Sequence, residues 1–160
     1  MALVLVGETR GELGASMYLR EVLGREDGAP PPVDLAAERR NGELVRKLIE
    51  SGAVTVCHDL SDGGLIAAAG EMALASKVGL SLELTGEAPH AELFGEDQAR
   101  YLLGAADPAA VLAAAKAAGV PARVVGQGGG EAISVAGLFD LPLARLREAH
   151  EGWMPAYMGD

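Results

Sequence analysis

The chain has 160 residues, of which 49% are hydrophobic and 22% are charged, and its formal net charge at pH 7 is −10. This length suits one domain with a sizeable core, so we expect a single domain over residues 1–160. The negative charge argues against a duplex nucleic-acid binder, which needs a basic face to displace counterions. No apolar run approaches the roughly 20 residues that span a bilayer, and no basic segment precedes the apolar start. A cytoplasmic protein that does not enter a membrane is therefore predicted.

Predicted strands and helices alternate along most of the chain. Apolar or period-two runs predict strands at 3–6, 54–56, 80–84, 100–105, 122–126 and 132–135. Amphipathic or alanine-rich runs predict helices at 14–23, 34–51, 65–75, 108–118 and 142–149. Asp34 is predicted to cap its helix, and residues 127–130 predict a hairpin-like turn between the last two strands. The pattern favours an α+β fold, with a mixed β-sheet covered by α-helices.

The most informative motif, at residues 54–65, joins a strand to a glycine turn and a helix. Ser61 or Asp62 is predicted to cap the free N–H groups at the helix start. Those N–H groups and the helix dipole favour a phosphate, and Gly63 and Gly64 let its oxygens approach the backbone. A phosphate or nucleotide site is therefore one interpretation of these four residues. The alternative is that the polar residues here only cap the helix.

Three further residues of interest lie at the end of the same strand. Asp59 is a candidate ligand for Mg²⁺, whose charge would offset a phosphate. Cys57 is the only cysteine, which excludes an internal disulfide and a cysteine-rich zinc site. Neighbouring strand residues point to opposite faces, so Cys57 and His58 make a poor nucleophile pair and a buried structural cysteine is favoured. His58 either faces the site or caps the strand end.

A second polar cluster occupies residues 94–100. If this segment is extended, Glu96 and Gln98 project to the same side and offer a carboxylate and an amide to a ligand. Arg100 either meets a phosphate or, as a purely structural alternative, forms an ion pair with Glu96 at the strand entrance.

Both clusters, in this order and separation, resemble one family. The likeness is carried by HDLSDGGL at 58–65, EMA at 71–73, LFGEDQAR at 93–100, GET at 7–9 and LGAS at 13–16. These runs resemble the last domain of the synthetase subunit of phosphoribosylformylglycinamidine synthase, in the aminoimidazole ribonucleotide synthase superfamily. The likeness covers nearly the whole chain. It implies the fold of the C-terminal domain of aminoimidazole ribonucleotide synthase.

The resemblance also implies a function. Enzymes of this family use ATP and Mg²⁺ to convert formylglycinamide ribonucleotide to formylglycinamidine ribonucleotide in purine biosynthesis, with ammonia from a glutaminase subunit. The implied partners are the remaining domains of the subunit, the glutaminase subunit and a small bridging subunit. The subunit holds two copies of a two-domain unit, and this chain resembles only the second domain of the second copy. The isolated chain is therefore expected to be inactive, and no catalytic residue is assigned.

The resemblance assigns roles by motif. Asp59 matches a metal-binding aspartate of the first copy, and Glu96, Asp97 and Gln98 match a substrate-contacting Glu-Ser-Gln of that copy. Asp97 departs from that pattern, because an acid replaces a small hydroxyl and would repel an anionic ligand. The resemblance implies that the corresponding site of the second copy is degenerate and structural, so that Asp59 and the glycine turn support either a tightly held nucleotide or only domain packing.

That departure supports a second reading, in which the chain is a non-catalytic structural or interaction module. Such a module would pack against a partner domain and bind at most a phosphate or nucleotide. Its candidate packing surface is apolar and lies near the chain end, at Trp153, Met154, Tyr157 and Met158. Alternatively, this tail folds back onto the core of its own domain.

Overall fold

A mixed β-sheet runs through the centre of the protein in the computed structural model, which describes residues 1–86 and 88–159. Its strands there are β1 (Ala2–Val6), β2 (Val54–Asp59), β3 (Leu80–Leu82), β4 (Tyr101–Ala105), β5 (Ala122–Gly128), β6 (Ala132–Val135) and β7 (Phe139–Pro142). Their spatial order is β2-β4-β1-β5-β3-β6-β7. Strands β3 and β6 run parallel, and the other neighbouring pairs are antiparallel.

Helices cover both faces of this sheet. In the described residues they are α1 (Met17–Leu23), α2 (Leu35–Glu50), α3 (Gly64–Ser76), α4 (Pro89–Phe94), α5 (Pro108–Ala117) and α6 (Leu143–Met158). One core joins α3 and α6 to Leu3 and Leu5, and a second core joins α2 and α5 to Val4 and Val6. Strand β1 is buried on both faces because successive side chains of a strand point in opposite directions. The predicted α+β class, with a mixed sheet covered by helices, is confirmed.

Local sequence patterns predicted most of the helices and strands correctly. The Asp34 carboxylate accepts hydrogen bonds from the backbone N–H groups of Ala36 and Ala37 at 2.9 and 3.0 Å, so the predicted cap of α2 is confirmed. Helix α4 was not among the predicted helices, because it is only 6 residues long and its main signal is Pro89 in the first turn. None of the described helices combines the length and apolar character that crossing a membrane requires.

The predicted hairpin between β5 and β6 is wrong. Strand β3 lies between them, antiparallel to β5 and parallel to β6. Burial explains the insertion, because Leu80 and Leu82 of β3 are 4% and 0% exposed and need a central position in the sheet. The hairpin in this region joins β6 to β7 instead.

Candidate functional site

The glycine turn connects β2 to α3. Gly63 and Gly64 have φ angles of 78° and 67°, in the left-handed region that favours glycine. A Cβ on Gly64 would lie 2.5 Å from the backbone oxygen of Gly95, so this position has no room for a side chain. The predicted side-chain cap is wrong: Gly63 itself is the N-cap, and the backbone oxygen of Ser61 accepts from the Gly64 N–H at 3.0 Å. The left-handed turn presents the Gly63 N–H to a distant residue.

That distant residue is Glu96. Its Oε1 atom accepts hydrogen bonds from the backbone N–H of Gly63 at 2.8 Å and of Met17 at 2.9 Å. Met17 is the first residue of α1, so one buried carboxylate joins the starts of two helices. A negative charge is favourable there because both helix dipoles have their positive ends at this point. Glu96 thus provides from within the protein the negative charge that the sequence pattern assigned to a phosphate.

Asp97 is bound in a similar way. Its carboxylate accepts from the backbone N–H groups of Arg10, Gly11 and Glu12 at 3.2, 3.0 and 3.3 Å, and the residue is 4% exposed. These three donors offset the cost of burying the charge. Asp97 therefore anchors the loop that follows β1.

Arg100 supports the same segment from inside. Its guanidinium donates to the backbone oxygens of Asp97 and Gly95 at 3.0 and 2.5 Å and to the Thr9 hydroxyl at 3.3 Å. The side chain is fully buried, and burial lowers the pKa of Arg100. Its carboxylate neighbour is Asp97 at 3.7 Å, so the alternative of an ion pair with Glu96 is wrong. The bend between residues 96 and 100 brings Asp97 to the guanidinium.

That bend also decides where Gln98 points. Ala99 has a φ of 58°, and its backbone oxygen accepts from the Asn41 side chain at 2.9 Å. The segment is therefore not extended, which was the condition for Glu96 and Gln98 to share a side. Gln98 is exposed, and its amide donates to the Glu96 backbone oxygen at 3.2 Å.

One open cleft of about 430 Å³ gathers most of the predicted site residues. Its lining includes Asp59, Ser61, Asp62, Glu96, Gln98 and Arg100. Sequence reasoning missed Glu38 and Tyr101, which complete the wall from α2 and β4. Burial, followed by the negative charges of Glu38 and Asp59, raises the pKa of Tyr101. Nothing in the local sequence of α2 marks Glu38, because its place in the cleft depends on the packing of α2 against the sheet.

The end of β2 supplies the acidic side of this cleft. Asp59 has a side chain that is 72% exposed. In the described residues no cluster of three or more His, Cys, Asp and Glu side chains is arranged to hold a metal ion. A single exposed carboxylate does fit the way proteins hold Mg²⁺, which takes one or two carboxylates and completes its shell with substrate phosphates and water.

His58 and Cys57 lie beside Asp59. The two ring nitrogens of His58 face the Asp59 backbone oxygen at 2.6 Å and a Glu71 carboxylate oxygen at 2.9 Å. Although partial burial opposes it, these two contacts raise the pKa of His58. Cys57 is exposed, so its predicted burial is wrong, because β2 is an edge strand of the sheet. Desolvation and then Asp59 raise the pKa of the Cys57 thiol, which disfavours a nucleophilic thiolate.

Comparison with known proteins identifies the family of the chain. Residues 1–136 match the family model described as AIR synthase related protein, C-terminal domain. The chain belongs to this family. A Caulobacter vibrioides protein named phosphoribosylformylglycinamidine synthase subunit PurL is 65% identical over 157 residues, which are 98% of this chain and 21% of that protein. A Rhodospirillum rubrum protein of the same name is 58% identical over 154 residues, which are 95% of this chain and 21% of the relative. The predicted resemblance is confirmed, and the chain spans about a fifth of these relatives.

Solved structures show the same fold. The structure described as T. maritima PurL complexed with FGAR has a TM-score of 0.74 at 21% identity, covering 91% of this chain and 27% of that chain. The structures described as T. maritima PurL complexed with ATP and as PurLQS from Thermotoga maritima have TM-scores of 0.70 and 0.68 at 19% and 21% identity. Each covers 91% of this chain and 25% of the other chain. These TM-scores show that the chain shares the fold of those structures.

Proposed function

We propose that residues 1–160 are one domain, the last, of the synthetase subunit of a phosphoribosylformylglycinamidine synthase. The single observation that carries this is the 65% identity to a protein of that name over 98% of this chain. In this proposal the subunit converts formylglycinamide ribonucleotide to formylglycinamidine ribonucleotide with ATP in purine biosynthesis. The chain supplies one wall of a ligand site, and the rest of the subunit closes it. This agrees with an open cleft and with a match to 21% of the relative.

We divide the predicted site residues into two groups: those that form the wall of the ligand site, and those that hold this wall in place. The wall consists of the exposed polar groups of Asp59, Ser61, Asp62 and Gln98 beside the glycine turn. Glu96 and Asp97 were predicted to contact substrate and Arg100 to meet a phosphate, but their charged groups have internal partners. We propose that they act instead as positioning residues, which hold Gln98 and the glycine turn in place. Glu96 and Arg100 also line the cleft, so they lie directly beside the groups that they are proposed to hold in place.

The charge of the cleft favours a metal-bridged ligand. Glu38, Asp59 and Asp62 all line it, and their negative charges oppose the approach of a bare phosphate. When bound, Mg²⁺ would supply the positive charge that offsets nucleotide phosphates. Asp59 is the residue proposed to hold it. Nucleotide binding itself is supported by the ATP complex of a protein with the same fold.

The remaining domains of the subunit, a glutaminase subunit and a small bridging subunit are the proposed partners, in the cytoplasm. The structure described as PurLQS from Thermotoga maritima supports assembly with further subunits. The chain alone is proposed to be inactive, because it matches 21% of the Caulobacter relative and the rest of the subunit is expected to supply the catalytic residues.

A second function has one specific observation in its favour. Glu96 already binds the Gly63 N–H, and Asp97 already binds three further backbone N–H groups, so anion-binding groups of this region are filled from within. In that case the chain is a structural module that packs against the rest of the subunit. It then needs no ligand of its own.

Calorimetric titration distinguishes the two functions. The chain alone, and a chimera in which it replaces the matched segment of the Caulobacter relative, are titrated with Mg-ADP, Mg-ATP and formylglycinamide ribonucleotide. The proposal predicts binding in the chimera that weakens on Asp59→Asn and Ser61→Ala. Asp140→Asn is the matched control, because Asp140 is an exposed acid of β7, at the opposite edge of the sheet. Unchanged affinity in Asp59→Asn and Ser61→Ala would leave only the structural module.

A further inference from the structure

The end of α6 carries an exposed apolar surface. Trp153, Met154, Tyr157 and Met158 are 61%, 55%, 73% and 67% exposed. Residues four apart in a helix lie above one another, so the pairs 153/157 and 154/158 form two adjacent rows on one side. The Trp153 and Tyr157 rings stack with centroids 5.2 Å apart and planes 11° apart. We call these four residues the apolar ridge.

The ridge does not pack on its own domain. The first part of α6 does so, through the buried Leu143, through Leu146 against the core, and through a hydrogen bond from Arg147 to the Leu74 backbone oxygen at 2.9 Å. Every residue from 148 to 159 is exposed. The alternative in which this tail folds back onto the core is therefore wrong. The first part of α6 therefore packs on the domain, and its last part projects into solvent.

The projecting end is also uncharged. Residues 152–158 read GWMPAYM and contain no Asp, Glu, Lys or Arg, in a chain that is 22% charged. Solvent-facing helix surfaces ordinarily carry charged or polar side chains, and a contiguous apolar patch marks an interaction site. Aromatic residues and methionine are the residue types enriched at the buried centre of protein interfaces.

The extents of the family match and of the match to a longer relative bear on what binds the ridge. The family model ends at residue 136, before α6 begins at Leu143, so the helix lies outside the match to the common domain. The longer Caulobacter relative nevertheless matches 98% of this chain, so its match extends into α6, and most of its own length lies outside that match. A segment that is matched in the longer relatives but lies outside the domain model is expected to contact other parts of the longer protein. Covalent tethering also gives any groove on that protein a high effective concentration around the ridge.

We propose that the apolar ridge docks into an apolar groove on the remainder of the longer subunit. The inference rests on the proposed function only for the identity of that subunit. Its test uses no nucleotide or substrate, so a failed ligand titration and a failed docking experiment are separate results.

The test uses the Caulobacter chimera with a protease site placed before Met1. After cleavage, size-exclusion chromatography and sedimentation measure how tightly the 160-residue piece stays bound to the remainder. The variant Trp153→Gln, Met154→Gln, Tyr157→Gln, Met158→Gln is expected to raise the Kd by roughly tenfold or more. The control Val124→Thr, Leu138→Gln changes two other exposed apolar residues and should leave the Kd unchanged. Equal retention of the ridge variant and the wild-type chain would overturn the proposal.

A second measurement tests whether the ridge binds a second copy of the chain instead. Trp153 is the only tryptophan of the chain, so its fluorescence reports on the ridge alone in the isolated protein. We expect a monomer with a solvent-exposed emission spectrum at all concentrations tested. A dimer whose formation shifts that spectrum to the blue and is abolished by Trp153→Gln would assign the ridge to a second copy of the chain, and would also overturn the proposal. Circular dichroism shows that each variant remains folded, because the substituted side chains make no core contacts.

Discussion

The Oε1 atom of Glu96 lies 2.8 Å from the backbone nitrogen of Gly63, and this contact ties the second polar cluster to the glycine turn. The same oxygen accepts from Met17, so the starts of α1 and α3 are held by one side chain. The position of the cleft wall therefore depends on the carboxylate of Glu96, a residue that is only 9% exposed. A ligand arriving at the turn meets the N–H groups of Gly63 and Gly64, both of which already have an acceptor within the chain.

Glu96→Gln tests that contact while preserving the shape of the side chain. The neutral amide accepts more weakly than a carboxylate, so we expect the free energy of unfolding to fall by about 1–2 kcal/mol. Urea denaturation followed by circular dichroism measures the change. Glu83→Gln, at an exposed glutamate, is the control and should differ from the wild-type chain by less than about 0.5 kcal/mol. Equal stability of both variants would show that the charge of Glu96 contributes nothing to the fold.

Asp97→Ser introduces the small hydroxyl that the family resemblance places here. It removes an acceptor shared by three backbone N–H groups, so we expect a loss of about 1–3 kcal/mol. The loss should be local, with faster hydrogen exchange at the amides of Arg10, Gly11 and Glu12. If those amides keep their protection in the variant, Asp97 does not anchor the loop.

Gly64→Ala separates backbone strain from steric clash. Both Gly64 and Gly52 have a positive φ, at 67° and 74°, but only Gly64 has close neighbours in its Cβ direction. Gly52→Ala should cost about 1 kcal/mol of unfolding free energy, and Gly64→Ala clearly more, because its Cβ would meet the Gly95 backbone oxygen. Thermal denaturation of the two variants side by side makes the comparison. Equal costs would mean that the turn shifts to accept a side chain.

Asn41→Ala should disturb the bend that presents Gln98. Asn41 is 2% exposed and donates to the Ala99 backbone oxygen, which helps hold a non-glycine residue at a φ of 58°. Its own Oδ1 atom lacks a partner among the described residues. We expect Ala99→Gly, which removes the strain at that position, to stabilise the Asn41→Ala variant by about 1 kcal/mol more than it stabilises the wild-type chain. A double-mutant cycle measured by urea denaturation tests this; purely additive effects would separate Asn41 from the conformation of Ala99.

His58 predicts a pH dependence of stability. Its pKa is raised in the folded state, so protonation contributes stability that is fully present below the unfolded pKa of roughly 6.5 and lost as the pH rises through the folded pKa. The Glu71 side chain is 62% exposed, which limits the effect to about 0.5 kcal/mol. Unfolding free energies at about pH 5.5 and about pH 8.5 should differ less in His58→Gln than in the wild-type chain. An identical pH profile for both proteins would exclude a contribution from His58.

Short-range signals in the sequence determined a large part of this protein. The strand, glycine turn and helix at residues 54–65, the Asp34 cap and the alternation of strands and helices all follow from neighbours along the chain. Backbone propensity, side-chain capping and hydrophobic period act over a few residues, so one sequence is enough to see them. The family was visible for the same reason, since its motifs are contiguous runs.

Only the tertiary structure decided strand order and the partners of the buried charges. The Leu80–Leu82 strand pairs with both β5 and β6 because burial favours a central place for its leucines, and no local turn signal encodes that. Glu96 accepts from an N–H 79 residues away, and Asp97 from one 87 residues away. A carboxylate near a glycine turn looks alike in sequence whether it contacts a ligand or the backbone of its own chain. The difference lies in which N–H groups the packed fold brings within hydrogen-bond distance, and that geometry arises only when the sheet and its helices come together.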